Sequence, residues 1–156
     1  MTLGVGDRAP DFSLPASGGK IVTLSELLAK GPVVVFFYPK DDTPGCTAEA
    51  CGFRDTHKDF LRAGAEVVGI SSDSVDSHAR FASKHALPMT LLSDVGGKVR
   101  AHYGVRASLG IIPGRATFVI DRSGIVRFVL VSQLRAEAHA REALSAVKGL
   151  AQQAGT

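Results

Sequence analysis

Apolar residues fall in short runs separated by polar, glycine- and proline-bearing breaks. Val33 to Tyr38 and Glu66 to Ser71 are continuous β-branched or aromatic runs, the pattern of strands buried on both faces. Thr90 to Ser93, Ala116 to Ile120 and Ile125 to Val131 read as further strands, the last two joined at hairpin-like spacing by Asp121-Arg122-Ser123-Gly124. Near the N-terminus Asp11 to Leu14 alternates, Ser17-Gly18-Gly19-Lys20 is a turn, and Ile21 to Thr23 returns as a second hairpin arm. Helices are predicted over Leu24 to Ala29, capped by Thr23 or Ser25, over Cys46 to Arg62, and from Asp76 or Ser77 to Leu87 before Pro88. Two more cover Gly97 to Tyr103 and Ala136 to Leu150, with a frayed tail beyond. No repeat, low-complexity block or linker interrupts residues 1–156, so a single α/β domain is expected, one sheet with helices on both faces.

Composition narrows the function classes. A hydrophobic fraction of 45% and a charged fraction of 21% are those of a soluble globular protein. The net charge is +3, but the 18 basic residues are spread out, without a stripe of interleaved aromatics, which argues against nucleic-acid binding. No apolar run approaches the roughly 18 residues that span a bilayer. The first residues lack the basic region and apolar core of a signal peptide, so a reducing cytoplasm is expected. There, two cysteines are more often catalytic or metal-binding than structural.

Those cysteines flank the most informative stretch, Tyr38 to Cys51, where a strand runs through a loop into a helix. Thr43 is the predicted N-cap and Pro44 the first helical residue, where a missing N–H costs nothing. Cys46 then sits in the first turn, whose unpaired N–H groups favour a thiolate and lower a cysteine from its usual pKa of about 8.5. Cys46 is therefore the predicted nucleophile. Cys51 follows five residues later. On an intact helix the two Cα atoms would lie about 8–9 Å apart, beyond the roughly 7 Å limit of a disulfide. Cys46 shares the inward stripe of Ala50, Phe53 and Phe60, and Cys51 the outward stripe of Asp55, Lys58 and Arg62. A bond between them requires the first turns to unwind, so the pair reads as a cycling redox couple.

Pro39-x-x-x-Thr43-x-x-Cys46 resembles the active-site signature of the peroxiredoxins. The longer run from Phe37 to Cys51 resembles their bacterioferritin-comigratory-protein branch, also called peroxiredoxin Q, and the resemblance extends from Ala9-Pro10-Asp11-Phe12 to Thr117-Phe118-Val119-Ile120-Asp121. It implies a thioredoxin-like fold, with a central mixed sheet and an N-terminal β-hairpin. It also implies a thiol-dependent peroxidase acting on hydrogen peroxide and organic hydroperoxides, with no metal, haem or flavin. Cys46 would become a sulfenic acid, Cys51 would resolve it as an intrachain disulfide, and thioredoxin or a similar dithiol would restore both thiols. Thr43 offers a hydroxyl and Pro39 a shield from water. Arg115 matches the family arginine that lowers the cysteine pKa and holds the peroxide oxygens, although by itself it reads as a solvated loop charge. Glu49 either aims Arg115 or is a carboxylate favoured by the helix dipole. Arg54 and Asp55 read as a solvated face with local charge pairs. The branch is often monomeric and both cysteines lie in one chain, so a monomer is expected.

Rival readings are weaker. Thioredoxin-type exchange needs Cys-x-x-Cys, and Thr43 stands where the first thiol would be; a hydroxyl can donate to a peroxide but cannot form a disulfide. A zinc set of Cys46, Cys51 and two of His57, His78, His85, His102 and His139 has the wrong spacing, with cysteines facing apart. Gly18-Gly19 and Gly96-Gly97 lack nucleotide fingerprints. A redox sensor would use the same residues with slow recycling. The apolar loop residues Leu109, Ile111 and Ile112 are expected to line an alkyl-peroxide entrance, pack, or meet a partner.

Overall fold

The computed structural model of the chain describes residues 2–105, 114–132 and 136–154. Strands β1 (Ser13–Pro15) and β2 (Ile21–Thr23) pair antiparallel as the N-terminal hairpin. The turn between them places Gly18 and Gly19 at φ 80° and 76°, a region that a Cβ disfavours. After it come α1 (Leu24–Leu28), β3 (Val33–Phe37), α2 (Pro44–Arg62), β4 (Glu66–Ser71), α3 (Val75–His85) and β5 (Thr90–Ser93). The chain continues through α4 (Lys98–His102), β6 (Ala116–Ile120), β7 (Val126–Val131) and α5 (Ala136–Ala154).

The elements match the sequence expectations in kind and order, and the differences lie at their ends. The hairpin begins at Ser13, because Asp11 is used otherwise: its carboxylate accepts from the Ser25 amide at 2.9 Å, at the start of α1. Thr23 occupies the cap position of α1, but its hydroxyl bonds that of Ser13 across the hairpin at 2.6 Å. Helix α3 starts earlier than expected, because the Ser74 side chain caps it by accepting from the Ser77 amide, and it ends at Ala86 in the left-handed region. Helix α5 continues past Leu150 to Ala154 through alanine and glutamine, good helix formers, rather than fraying. The apolar loop residues Leu109, Ile111 and Ile112 lie outside the described residues.

Strand β3 lies at the centre of a five-stranded mixed sheet of order β5-β4-β3-β6-β7, parallel to β4 and antiparallel to β6. Its two faces account for the unbroken apolar run. Val33, Val35 and Phe37 point into a core shared with the hairpin, α1 and α4, through Leu14, Val22, Leu24, Val99 and Tyr103. Val34, Phe36 and Tyr38 point the other way, towards α2, α3 and α5, with Phe53, Phe60, Phe81 and Val147. Helices on both faces leave no polar side for alternation to mark. Phe36 stacks on Phe53 of α2 at 4.3 Å between ring centroids. Gly69 of β4 makes the room: a Cβ there would stand 2.6 Å from the Phe36 ring and 2.8 Å from Leu91.

Two catalytic-type segments meet at the end of this sheet. The β3–α2 loop leaves the C-terminal end of β3, and Arg115 enters β6 beside it, since Phe37 pairs with Ala116 in the antiparallel register.

Candidate active site

Helix α2 begins at Pro44, which leaves Cys46 third in the first turn. Thr43 holds the extended cap conformation, φ −97° and ψ 154°, as a residue before proline should. Its hydroxyl does not cap the helix; it donates to the Lys40 carbonyl at 3.0 Å and so closes the loop on itself. Pro39 is half-buried at the loop's start.

The loop is anchored from below by a buried polar cluster. Tyr38 donates its hydroxyl to Asp41 Oδ1 at 2.6 Å, and Ser77 donates to Asp41 Oδ2 at 2.8 Å. His78 bridges Asp41 Oδ2 and the Leu92 carbonyl, at 2.7 and 2.9 Å. The Asp41 amide donates to Asp73 at 2.7 Å. Burial and the adjacent Asp41 push the Tyr38 phenol well above its ordinary value, so it stays a donor. Among the described residues, Asp41, Asp73 and His78 are the group spaced to hold a cation, and neither cysteine belongs to it. Their polar atoms instead pair with one another and with the loop.

Cys46 is 2% exposed and Arg115 is 4% exposed. Arg115 Nη2 donates to Cys46 Sγ at 3.4 Å, and Nη1 donates to Glu49 Oε1 at 2.5 Å. Gly45 permits this approach, because a Cβ there would lie 3.0 Å from Arg115 Nη2. Glu49 is fully buried one turn into α2. Burial raises its carboxyl to about 8, against the downward pull of the Arg115 charge. Arg115 itself is held above its ordinary value, because Glu49 and Cys46 outweigh the cost of burying it. Glu49 Oε2 lies 3.3 Å from His139 Nδ1 on α5. His139 Nε2 faces the Ser132 carbonyl at 3.0 Å and so carries a proton, and the Thr117 hydroxyl sits 2.6 Å from Nδ1. Arg115 Nε is buried with no hydrogen-bond partner among the described residues.

A model of the AhpC/TSA family matches residues 5–129. The chain belongs to the AhpC/TSA family. Within it, the chain lies in the peroxiredoxin Q branch. The chain is 51% identical over 146 residues, 93% of its length, to the chloroplastic peroxiredoxin Q of Sedum lineare, and covers 78% of that protein. Among solved structures it resembles the peroxidoxin BcpB of Mycobacterium tuberculosis, with TM-score 0.87 and 46% identity over 94% of this chain and 97% of that one. The bacterioferritin comigratory protein of Xanthomonas campestris, whose structures concern alkyl peroxide reduction, matches with TM-score 0.82 and 33% identity over 90% and 92% of the two chains. The chain is thus a peroxiredoxin of thioredoxin-like fold, a thiol-dependent peroxidase.

Of the sequence-derived site residues, this peroxiredoxin brings Cys46, Arg115 and Glu49 into direct contact. Thr43 and Pro39 line the same loop. Cys51 is half-buried and, like Cys46, a free thiol, on an α2 that is continuous from Pro44 to Arg62. Arg54 pairs with Asp55 at 2.9 Å, as a solvated face would, but it also donates to the His85 carbonyl at the end of α3. Two neighbours escaped the sequence reading. In the sequence His139 reads only as a candidate zinc ligand, and Arg100 as an ordinary charge of a short helix. No local pattern separates a buried arginine on a short helix from a solvated one.

Proposed function

We propose that Cys46 is the peroxidatic nucleophile of this peroxidase and that hydrogen peroxide and organic hydroperoxides are its substrates. The observation that carries this is the Arg115 guanidinium, which touches the sulfur, is braced by Glu49 and keeps one N–H in reserve. A cation against sulfur favours the anion, the form that attacks. The thiolate takes the distal peroxide oxygen as the O–O bond breaks. The leaving oxygen carries off the electron pair and picks up a proton, and Arg115 donors stabilise the charge that develops on it. Cys46 is left as a sulfenic acid.

Resolution falls to Cys51. Its sulfur attacks the Cys46 sulfur, hydroxide leaves and is protonated to water, and an intrachain disulfide forms. The bond needs the first turns of α2 to melt, since the unbroken helix holds the Cα atoms about 8–9 Å apart. A dithiol donor of the thioredoxin kind then exchanges with the disulfide, and the donor leaves oxidised. Such recycling belongs to a reducing compartment, the cytoplasm, and both cysteines come from one chain, so a monomer suffices.

The test is a pair of variants. Cys46→Ser should abolish peroxide consumption, and retained turnover would reject the assignment. Cys51→Ser should complete one oxidation and then stall with thioredoxin as donor; unchanged cycling would remove Cys51 from the cycle.

A further inference from the structure

The site depends on two backbone segments far apart in sequence, the loop after Tyr38 and the residue pair Gly114-Arg115. One side chain touches both. Arg100 of α4 donates Nη2 to the Tyr38 carbonyl at 2.7 Å and Nη1 to the Gly114 carbonyl at 2.5 Å. The first carbonyl immediately precedes Pro39; the second immediately precedes Arg115. We propose that Arg100 is a positioning residue for peroxide reduction, a planar fork that sets the spacing between the backbone carrying Cys46 and the backbone carrying Arg115. The proposal rests on the assignment of Cys46 and Arg115 above.

Arg100 is unusual for a buried cation. It is 9% exposed, and among the described residues no carboxylate lies within salt-bridge distance of its guanidinium. Among the described residues its side-chain hydrogen-bond partners are two neutral carbonyls, with the Phe37 ring 5.8 Å away. An arginine without an ion pair is costly to bury, and an apolar residue of similar volume would fill the space at less cost. What an apolar residue cannot do is bond two carbonyls at once in a fixed geometry. Lysine cannot reproduce it either, since its donors share one nitrogen.

The base of the fork is held as well. Asp94 accepts from the Val99 and Arg100 amides at 3.1 and 2.9 Å and fixes the start of α4. The charged and titratable groups acting on the guanidinium are Asp94, Cys46 and Arg115. Burial lowers its hold on its proton, Asp94 and Cys46 raise it, and Arg115 opposes it.

The experiment uses the full chain in a Cys51→Ser background and reads two quantities for Arg100→Lys and Arg100→Met. One is the second-order rate of Cys46 oxidation by hydrogen peroxide. The other is the pH profile of Cys46 alkylation by iodoacetamide, which needs no peroxide chemistry. Misplacing reacting groups by about 1 Å can cost about a hundredfold in rate. Arg100→Lys should therefore slow oxidation about ten- to a hundredfold while keeping the alkylation profile near that of the parent. Arg100→Met should slow oxidation at least as much and move alkylation to higher pH. The loss should shrink when Arg115 is already lysine, because Arg100 acts through it. A folded Arg100→Lys variant that oxidises at the parental rate overturns the proposal, as does a loss that multiplies undiminished with Arg115→Lys. If Arg100→Met does not fold, the lysine variant decides alone. A parent whose Cys46 ignores peroxide would sink the functional reading, and the alkylation profiles would still judge whether Arg100 holds Arg115 against the sulfur.

Discussion

Glu49 carries the most informative single proton. In the folded chain burial holds its carboxyl near 8, against 4.5 ordinarily. The folded state therefore binds a proton that the unfolded chain has released. The stability linked to that proton is complete below about 4.5 and is lost as pH rises through about 8, with a slope of up to about 1.4 kcal/mol per pH unit between them. Glutamine keeps the shape and cannot ionise. Calorimetric melting temperatures from pH 5 to 9 should fall for the parent relative to Glu49→Gln; parallel curves would contradict the shift. Protonation of Glu49 also leaves more of the Arg115 charge for the sulfur. Removing that charge with Arg115→Met should cut the peroxide rate about a hundred- to a thousandfold, the usual loss for a donor aimed at developing charge. Stopped-flow oxidation in the Cys51→Ser background measures it.

The proposed cycle asks helix α2 to be rigid for most of its length and able to melt at its start. Its middle is pinned by Phe53 and Phe60, both fully buried, with Phe53 on the Phe36 ring. Phe53→Ala should cost about 3–5 kcal/mol in urea unfolding. Gly69→Ala should cost about 1–3 kcal/mol, because the added methyl meets Phe36 and Leu91 in a filled layer. The start is tied differently, through the polar contacts of Cys46 and Glu49 with Arg115. The Thr43 hydroxyl gives it no cap, and Asp42, at φ 62°, meets α3 through an exposed pair with Lys84 and a longer contact with His85. Exposed pairs contribute little. Oxidation should therefore deprotect amides 44–51 in hydrogen exchange and leave those around Phe53 and Phe60 slow; an oxidised protein protected throughout α2 would contradict the melting step.

At the scale of the whole molecule, one sheet brings every part of the site to the end of β3. The β3–α2 loop, α4 with Arg100, and Arg115 before β6 converge there because β3 pairs with β6 and is covered on both faces. The proposed pairing of Cys46 and Cys51 within one chain predicts that peroxide oxidation removes two hydrogens from a monomer. Intact-mass measurement after one equivalent of peroxide should find that loss in a species that migrates as a monomer without reductant; a disulfide-linked dimer would mean that a second chain resolves Cys46.

Periodicity and turn residues were enough to place the strands and helices in order, the proline-started helix and the cysteine in its first turn, because these are properties of neighbours along the chain. Element ends were harder to place: Asp11 caps α1 and Ser74 caps α3 with side chains whose partners propensity does not name. Arg115 became a site candidate through family resemblance; as a bare residue it read as a solvated charge. Its contact with Cys46, 69 residues away, exists only once β3 and β6 pair. The same holds for Arg100 and His139, buried by elements distant in sequence. Burial of a charge is decided by what packs over it, and that is a property of the assembled sheet and its layers.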